Sequence, residues 1–242
     1  MVRASRSVRI GLVLPDVLGT YGDDGNALVL RQRARMRGMS AEVERIGLDD
    51  AIPDDCDIYS IGGGEDSAQV IAAARLAASP GLQSAAADGR PIFAVCAGMQ
   101  VLGRTFTAHG DTVDGLGLID VTTSPMRTRA IGEIASAPSR AGITAGLTET
   151  LTGFENHMGG TVLGDDAEAL GSVKRGVGNA EETSVEGVVQ GSVIATYMHG
   201  PALARNPQLA DLLLAYALGI PMSDLEPLEL AEIDRLRLER LR

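Results

Sequence analysis

A cysteine set among small residues, a late histidine beside glycine and proline, and three successive glycines are the parts of this 242-residue chain that could do covalent chemistry together. Cys96 lies in PIFAVCAGMQVLG, Pro91 to Gly103, where an apolar run suited to a buried strand stops and Met99, Val101 and Leu102 resume a helical pattern. Small neighbours, Ala94 and Gly98, permit a sharp strand-to-helix turn whose tip points its side chain out of the sheet. A thiol at such a helix start is favoured as the thiolate. The alternative is a small buried hydrophobe, a common fate of free cysteine. His199, in YMHGPALARNPQLADLLL, ends a β-like run and is on no apolar face. Gly62, Gly63 and Gly64 follow the strand-like DIYSI, so their bare amides can approach an anion or a developing oxyanion, or merely form a tight turn. A thiol acyl-transfer site needs a nucleophile, a base and oxyanion amides; Cys96, His199 and the Gly63/Gly64 loop with the Ala97 amide can supply them. Of the other histidines, His109 in TAHGDTVDG reads as solvated and His157 in ENHMGG as a hydrogen-bonding loop residue. No ligand spacing points to a metal.

These parts meet only if the elements carrying them end on one rim. Val8 to Leu14, Ala41 to Leu48 and Asp57 to Ile61 read as strands, with helices over Ala27 to Arg37, stopped by Gly38, and Gln69 to Ala78. Strand and helix in alternation imply a parallel sheet with right-handed crossovers. Ligands in open sheets of this kind bind beyond the carboxyl strand ends, which would place Cys96 and the glycine loop together. Asp16 to Asn26, DVLGTYGDDGN, is a polar loop without either phosphate-binding glycine pattern. Beyond Gly103, Leu116 to Thr123, Ile131 to Ala135, Leu151 to His157 and Thr161 to Leu163 read as short antiparallel strands covering one side of the core. Gly171 to Thr183 reads as an exposed hairpin or mobile loop, Val185 to Met198 as two more strands, and Asn206 to Leu218 as a helix. One α/β domain over 1–222 is expected, with a helical tail over 223–242.

Composition narrows the classes. A net charge of −11 argues against nucleic acid or an anionic membrane as the main partner. Cys56 and Cys96 are too few for a disulfide framework, no apolar run is long enough to span a bilayer, and the short N-terminal apolar run enters Pro15 without a cleavage-like site. A reducing cytoplasm is the expected compartment.

With glycine loop, cysteine and histidine in this order, the chain resembles the class I glutamine amidotransferases, which release ammonia from glutamine. That resemblance implies a flavodoxin-like, mostly parallel sheet flanked by helices, with an antiparallel extension. Two departures matter: the usual G-x-C-x-G is Ala94-Val95-Cys96-Ala97-Gly98, and the glutamate usually two residues after the histidine is Pro201. The second resembles the cobyric-acid-synthase-like branch, which works with a Cys/His pair and no glutamate there. Within it, LPDVLGTYGDDGNALVLRQR, YSIGGGEDSAQ, VCAGMQVLG, LTGFENHMGGTVLG, GVGN and YMHGPALARNPQLADLLL resemble the glutaminase-subunit family of lipid II isoglutaminyl synthase over almost the whole chain. By that resemblance Cys96 is the nucleophile, His199 the base and acid, and Gly63, Gly64 and Ala97 the oxyanion amides. Arg129, in SPMRTRAIGE, is the implied ligand of the glutamine α-carboxylate, with Arg127 close enough to be confused with it. A heterodimer with a MurT-like Mur ligase subunit is also implied. That partner would bind ATP and Mg and amidate the D-glutamate of the lipid II stem peptide, leaving this chain without a cofactor of its own. Alternatives are the glutaminase half of another amidating synthase, such as a corrinoid one, or a non-catalytic scaffold; retention of both Cys96 and His199 counts against the last.

A histidine base is normally oriented by a carboxylate, and Pro201 supplies none. His199 then works unassisted, or with an internal acid such as Glu155, or with one from the partner, which would tie ammonia release to assembly. The last stretch, SDLEPLELAEIDRLRLERLR, sets Leu230, Ile233, Leu236, Leu238 and Leu241 among arginines. It reads as a docking helix or as one folded back on its own domain.

Overall fold

In the computed structural model, which describes residues 7–241, the apolar runs of the first half become buried strands and the stretches between them helices. The order begins β1 (Ser7–Val13), α1 (Gly25–Met36), β2 (Ser40–Ile46), β3 (Ile58–Ile61), α2 (Asp66–Ala77), α3 (Gly81–Ala87), β4 (Ile92–Val95) and α4 (Ala97–Leu102). There follow β5 (Thr105–Ala108), β6 (Asp111–Asp114), β7 (Val121–Pro138), β8 (Leu151–Leu163), β9 (Gly171–Arg175), β10 (Val185–Glu186), β11 (Val188–Gln190) and β12 (Val193–Thr196). Three helices close the chain: α5 (Ala202–Arg205), α6 (Pro207–Leu218) and α7 (Ala231–Leu241).

The first sheet runs β11-β12-β4-β3-β1-β2, parallel throughout except for the antiparallel β11 edge. Every residue of β3, β4 and β12 is buried, as in a sheet covered on both faces. The second sheet, β10-β9-β7-β5-β6 with β8 on β7, is antiparallel apart from β5 against β7. The mostly parallel core with an antiparallel extension is therefore present.

Three stretches differ from the sequence expectation. The four short strands between Leu116 and Leu163 are two long ones, β7 and β8, paired from Val121↔Leu163 to Ser136↔Leu151 with one irregularity between Pro125 and Ala130. VEGVVQ divides at Gly187, whose φ of 66° turns the chain from β10 in one sheet to β11 in the other. The Gly171–Thr183 segment is a hairpin, β9 pairing antiparallel with β10, and its loop is pinned rather than mobile. Buried Asn179 exchanges hydrogen bonds with Gly187 at 2.6 and 2.9 Å, and Glu155 accepts the Val177 and Gly178 N–H groups at 2.8 and 2.9 Å.

Helix α7 lies against β8 and α5. Its Arg237 reaches the Thr150 carbonyl and Glu149, and Arg240 lies 3.4 Å from Glu133. None of its residues is buried, and Leu236 and Leu238 stand about half exposed. Surface ion pairs contribute little, so truncation after Glu226 is expected to cost about 1 kcal/mol and lower the melting temperature by roughly 2–4 °C. A calorimetric scan checks this; a loss above 10 °C would make the tail part of the core. No helix among the described residues is long and apolar enough to cross a membrane.

Candidate active site

Four neighbouring parallel strands, β1, β3, β4 and β12, deliver four segments to their carboxyl ends: the loop 14–24, the glycines 62–64, Cys96 and His199. Cys96 sits at the tip between β4 and α4 with φ 52° and ψ −109°, a conformation that costs a non-glycine residue about 1–3 kcal/mol. Hydrogen bonds hold it: Cys96 N–H donates to the Thr196 carbonyl at 2.9 Å and Gly98 N–H to the Gly62 carbonyl at 3.1 Å. A Cβ at Gly98 would lie 2.9 Å from that same oxygen, so the turn needs glycine there.

His199 is joined to the core by a two-way bridge, its N–H and C=O pairing with those of Phe154 at 2.9 and 3.1 Å. Its Nδ1 lies 3.1 and 3.0 Å from Oδ1 and Oδ2 of Asp23, a residue the sequence reading did not single out. A carboxylate only accepts, so Nδ1 carries a proton. Glu155, the internal acid considered above, is instead spent on the Val177 and Gly178 amides. The other ring nitrogen, Nε2, is buried and has no hydrogen-bond partner among the described residues. Burial alone would lower the imidazole pKa, but Asp23, hydrogen-bonded to Nδ1, and the neighbouring Cys96 push it up to about 10. An imidazolium beside a thiol is the arrangement that stabilises thiolate.

Asp23 Oδ2 also accepts the Gly63 N–H at 3.0 Å, while the Gly63 carbonyl accepts from Thr20 N–H at 3.1 Å. Of the three amides expected to face an oxyanion, that of Gly63 is therefore occupied. Gly64 N–H makes no hydrogen bond among the described residues, and Ala97 N–H precedes the first intrahelical donor, Gln100. An added Cβ on Gly63 would lie 3.1 Å from Asp23 Oδ2, 3.1 Å from His199 Cε1 and 3.4 Å from Cys96 Cβ. Acid, base and nucleophile thus converge on one glycine.

Of these groups Cys96 and Gly64 line a cavity of about 250 Å³, and Asp23, Gly63 and His199 lie behind it. Its floor carries Cys96, Gln69 and Gln100; its far wall is the β7–β8 ribbon with Thr123, Arg129, Asn156 and His157. The floor is stiffened by a buried chain of hydrogen bonds, Gln69 to Gln100 to the Tyr197 hydroxyl to Thr161 to Thr123, with lengths from 2.6 to 2.9 Å. Arg129 donates to Asn156 Oδ1 at 2.7 Å and makes no ion pair among the described residues. Arg127 does not line the cavity and lies 3.5 Å from Glu181 and 3.9 Å from Glu182. At the mouth Tyr21 sets its ring 5.1 Å from that of His199 and donates its hydroxyl to Glu65 at 2.8 Å.

Of the two remaining histidines, His157 is better held than the sequence suggested, whereas His109 is exposed, as its polar loop implied. His157 is a strand residue stacked 3.6 Å from Tyr197, with Nδ1 2.8 Å from the Gly159 carbonyl. Burial lowers its pKa to about 4, with the Gly159 carbonyl opposing and the charges of His199 and Arg129 assisting. It is neutral at neutral pH. His109 turns the β5–β6 hairpin at φ 53°, with Nε2 3.1 Å from Ser67 Oγ.

A strained thiol facing a buried, charged histidine at the carboxyl rim of a mostly parallel sheet defines the class I glutamine amidotransferase type. The glutaminase domain of Trypanosoma brucei CTPS with bound acivicin superposes with a TM-score of 0.56 at 14% identity, over 88% of this chain and 95% of that one, which shows the shared fold. The family model for the CobB/CobQ-like glutamine amidotransferase domain matches residues 9–207, and the chain belongs to that family of glutamine-hydrolysing enzymes. It is 37% identical over 226 residues to the GatD subunit of the lipid II isoglutaminyl synthase (glutamine-hydrolyzing) of Staphylococcus aureus (strain N315), covering 91% of this chain and 89% of that one. The GatD subunit of Streptococcus pneumoniae (strain ATCC BAA-255 / R6) is 37% identical over 207 residues, 84% of this chain and 77% of its own.

Proposed function

We propose that this chain is the glutaminase subunit of a lipid II isoglutaminyl synthase. It hydrolyses L-glutamine through a thioester on Cys96 and passes the ammonia, in the cytoplasm, to a MurT-like ligase subunit. That subunit would use ATP and Mg to amidate the D-glutamate α-carboxyl of the peptidoglycan stem peptide. The observation that carries the reading is the strained Cys96 set beside His199, with Cys96 on a cavity walled by Arg129, which makes no ion pair among the described residues. The 37% identity to GatD subunits supports the choice of acceptor.

In the first half-reaction the Cys96 thiolate attacks the γ-carboxamide carbon, and the oxygen takes up charge towards the Gly64 and Ala97 amides. Collapse breaks the C–N bond while His199 gives a proton to the leaving nitrogen, which departs as ammonia. In the second, His199 takes a proton from water, whose oxygen attacks the thioester carbon. The C–S bond breaks, L-glutamate leaves, and the thiolate and imidazolium are restored. Arg129 binds the substrate α-carboxylate; Glu65 and Asp66 line the same cavity and suit the α-ammonium group.

Arg129→Lys is expected to raise KM for glutamine about tenfold and change kcat by less than about threefold, because a fork contact made equally in ground and transition states is lost. Arg127→Ala, away from the cavity, should be near wild type. Steady-state ammonia release checks both, and a larger effect at Arg127 would reverse the assignment. The acceptor is tested by incubating the chain with a Mur-ligase-like partner, lipid II, ATP, Mg and glutamine, and locating the new carboxamide by mass spectrometry. Ammonia release with no amidation of lipid II, but amidation of a corrinoid carboxylate, would assign the chain to the other synthase.

A further inference from the structure

We infer that Arg129 is preset for its substrate by two positioning residues, Asn156 on β8 and Glu181 on the β9–β10 loop, which hold its guanidinium and the strand bulge that carries it. The inference rests on the glutaminase reading above and on Arg129 as the ligand of the glutamine α-carboxylate. Strands β7 and β8 lose register between Pro125 and Ala130. Pro125 faces Gly159 and Ala130 faces His157, so Met126, Arg127, Thr128 and Arg129 stand against Met158 alone. Extra residues in one strand re-aim side chains that regular pairing would fix. Here Arg129 reaches the cavity wall, while Arg127 stays in solvent.

Asn156 Oδ1 accepts the Arg129 Nε–H at 2.7 Å. That leaves the Nη1 and Nη2 edge, which can meet both oxygens of a carboxylate, without a hydrogen bond among the described residues. Glu181 Oε1 accepts the N–H of Thr128, the residue before Arg129, at 3.0 Å. Arg127 lies 3.5 Å from the same carboxylate, but its side chain is 84% exposed, so that ion pair adds little. Glu181 can hold the bulge because its own loop is fixed: Thr161 N–H on β8 donates to the Asn179 carbonyl at 2.7 Å. A Cβ on Gly160 would lie 2.8 Å from Met126 Cγ and 3.4 Å from Ala180 Cβ, so bulge and loop both close on β8 there. An arginine left free in solvent would have to be ordered by the substrate, at a cost of about two- to tenfold in affinity. The two contacts remove that cost before glutamine arrives.

Asn156→Leu keeps the size and removes the acceptor. In the full-length chain, KM for glutamine should rise about fivefold with kcat within about twofold. Asn156→Asp, closer in shape, should be the worse variant, with KM up at least about thirtyfold, because its carboxylate repels that of glutamine. A merely structural role would make aspartate the milder change. Glu181→Ala should raise KM about threefold, and Glu181→Gln, which still accepts the Thr128 N–H, should restore it. Asn156→Leu and Glu181→Ala are repeated beside Arg129→Ala, where neither should change KM further, since both act only through that guanidinium. Wild-type KM in both single variants would overturn the inference, and so would effects that persist in full beside Arg129→Ala. Should the Asn156 variants not fold, the Glu181 variants decide by the same readings. Failure of the underlying reading looks different. Wild type that releases no ammonia from glutamine, alone or with the ligase partner, would remove the glutaminase reading, and wild-type KM in Arg129→Ala would remove the carboxylate assignment. A raised KM in Arg129→Ala with wild-type KM in Asn156→Leu and Glu181→Ala would overturn the positioning roles alone.

Discussion

Cys96→Ala is expected to reduce glutamine hydrolysis by a factor of about 10⁴ or more, since no other cysteine lines the cavity to form the thioester. The same change should leave the melting temperature within roughly 2 °C, a shift worth about 0.5–1 kcal/mol in a chain of this size. Alanine also has a Cβ, so it meets the φ of 52° with the same strain as cysteine. The bonds that hold the tip, from Cys96 N–H to Thr196 and from Gly98 N–H to Gly62, are backbone bonds and persist. The thiol makes no hydrogen bond that would leave a structural partner orphaned, and His199 retains Asp23. Coupled detection of glutamate and ammonia, with a thermal melt of the same preparation, reads both quantities. Residual turnover within tenfold of wild type would exclude Cys96 as the nucleophile. Loss of folding would show that the thiol–imidazolium contact is structural as well.

What the sequence made legible was local. The apolar run that stops at Cys96, the small Ala94 and Gly98, and the glycines after β3 each state their own geometry. Strand-helix alternation was enough to bring them to one rim. Asp23 was not legible in that way. It lies 176 residues from His199, in a loop whose composition says only that the chain turns. A stricter use of the rim rule would have reached it, because the loop after β1 leaves the same end of the sheet and β1 neighbours β3. The density of DDGN there was the available signal. The long β7–β8 ribbon was hidden for the opposite reason: glycine in a strand reads as a break, whereas here it makes room. A Cβ on Gly159 would lie 2.3 Å from Gln100 Nε2, and one on Gly153 2.3 Å from Met198 Cβ. Those glycines let the ribbon lie directly on the catalytic floor. The tail was legible as an amphipathic helix but its seat was not. Ile233, Arg237 and Leu241 are its partly covered positions, and one of the three is an arginine held by Glu149 and the Thr150 carbonyl.

His199→Ala is expected to remove activity as completely as Cys96→Ala while also lowering stability, and the two losses have different causes. Activity goes because both proton transfers need the ring. Stability goes because Asp23 is left buried with only the Gly63 N–H, and breaking a buried pair from one side costs on the order of 3 kcal/mol. That corresponds to a fall of roughly 6–12 °C in melting temperature. The pH dependence separates this from a simple packing loss. His199 has its folded-state pKa raised to about 10, against an unfolded value of about 6.5. The folded state therefore binds the proton more tightly, and the stabilisation is present in full below about pH 6.5 and declines as pH rises towards about 10. Wild type should lose stability across that window, and His199→Ala should lack this part of the slope, so the gap between the two narrows with rising pH. Denaturant melts at several pH values across the window measure it. Curves that stay parallel from end to end would mean that His199 is not held as the charged partner of Asp23, and the fall in stability would then be attributable to the cavity alone.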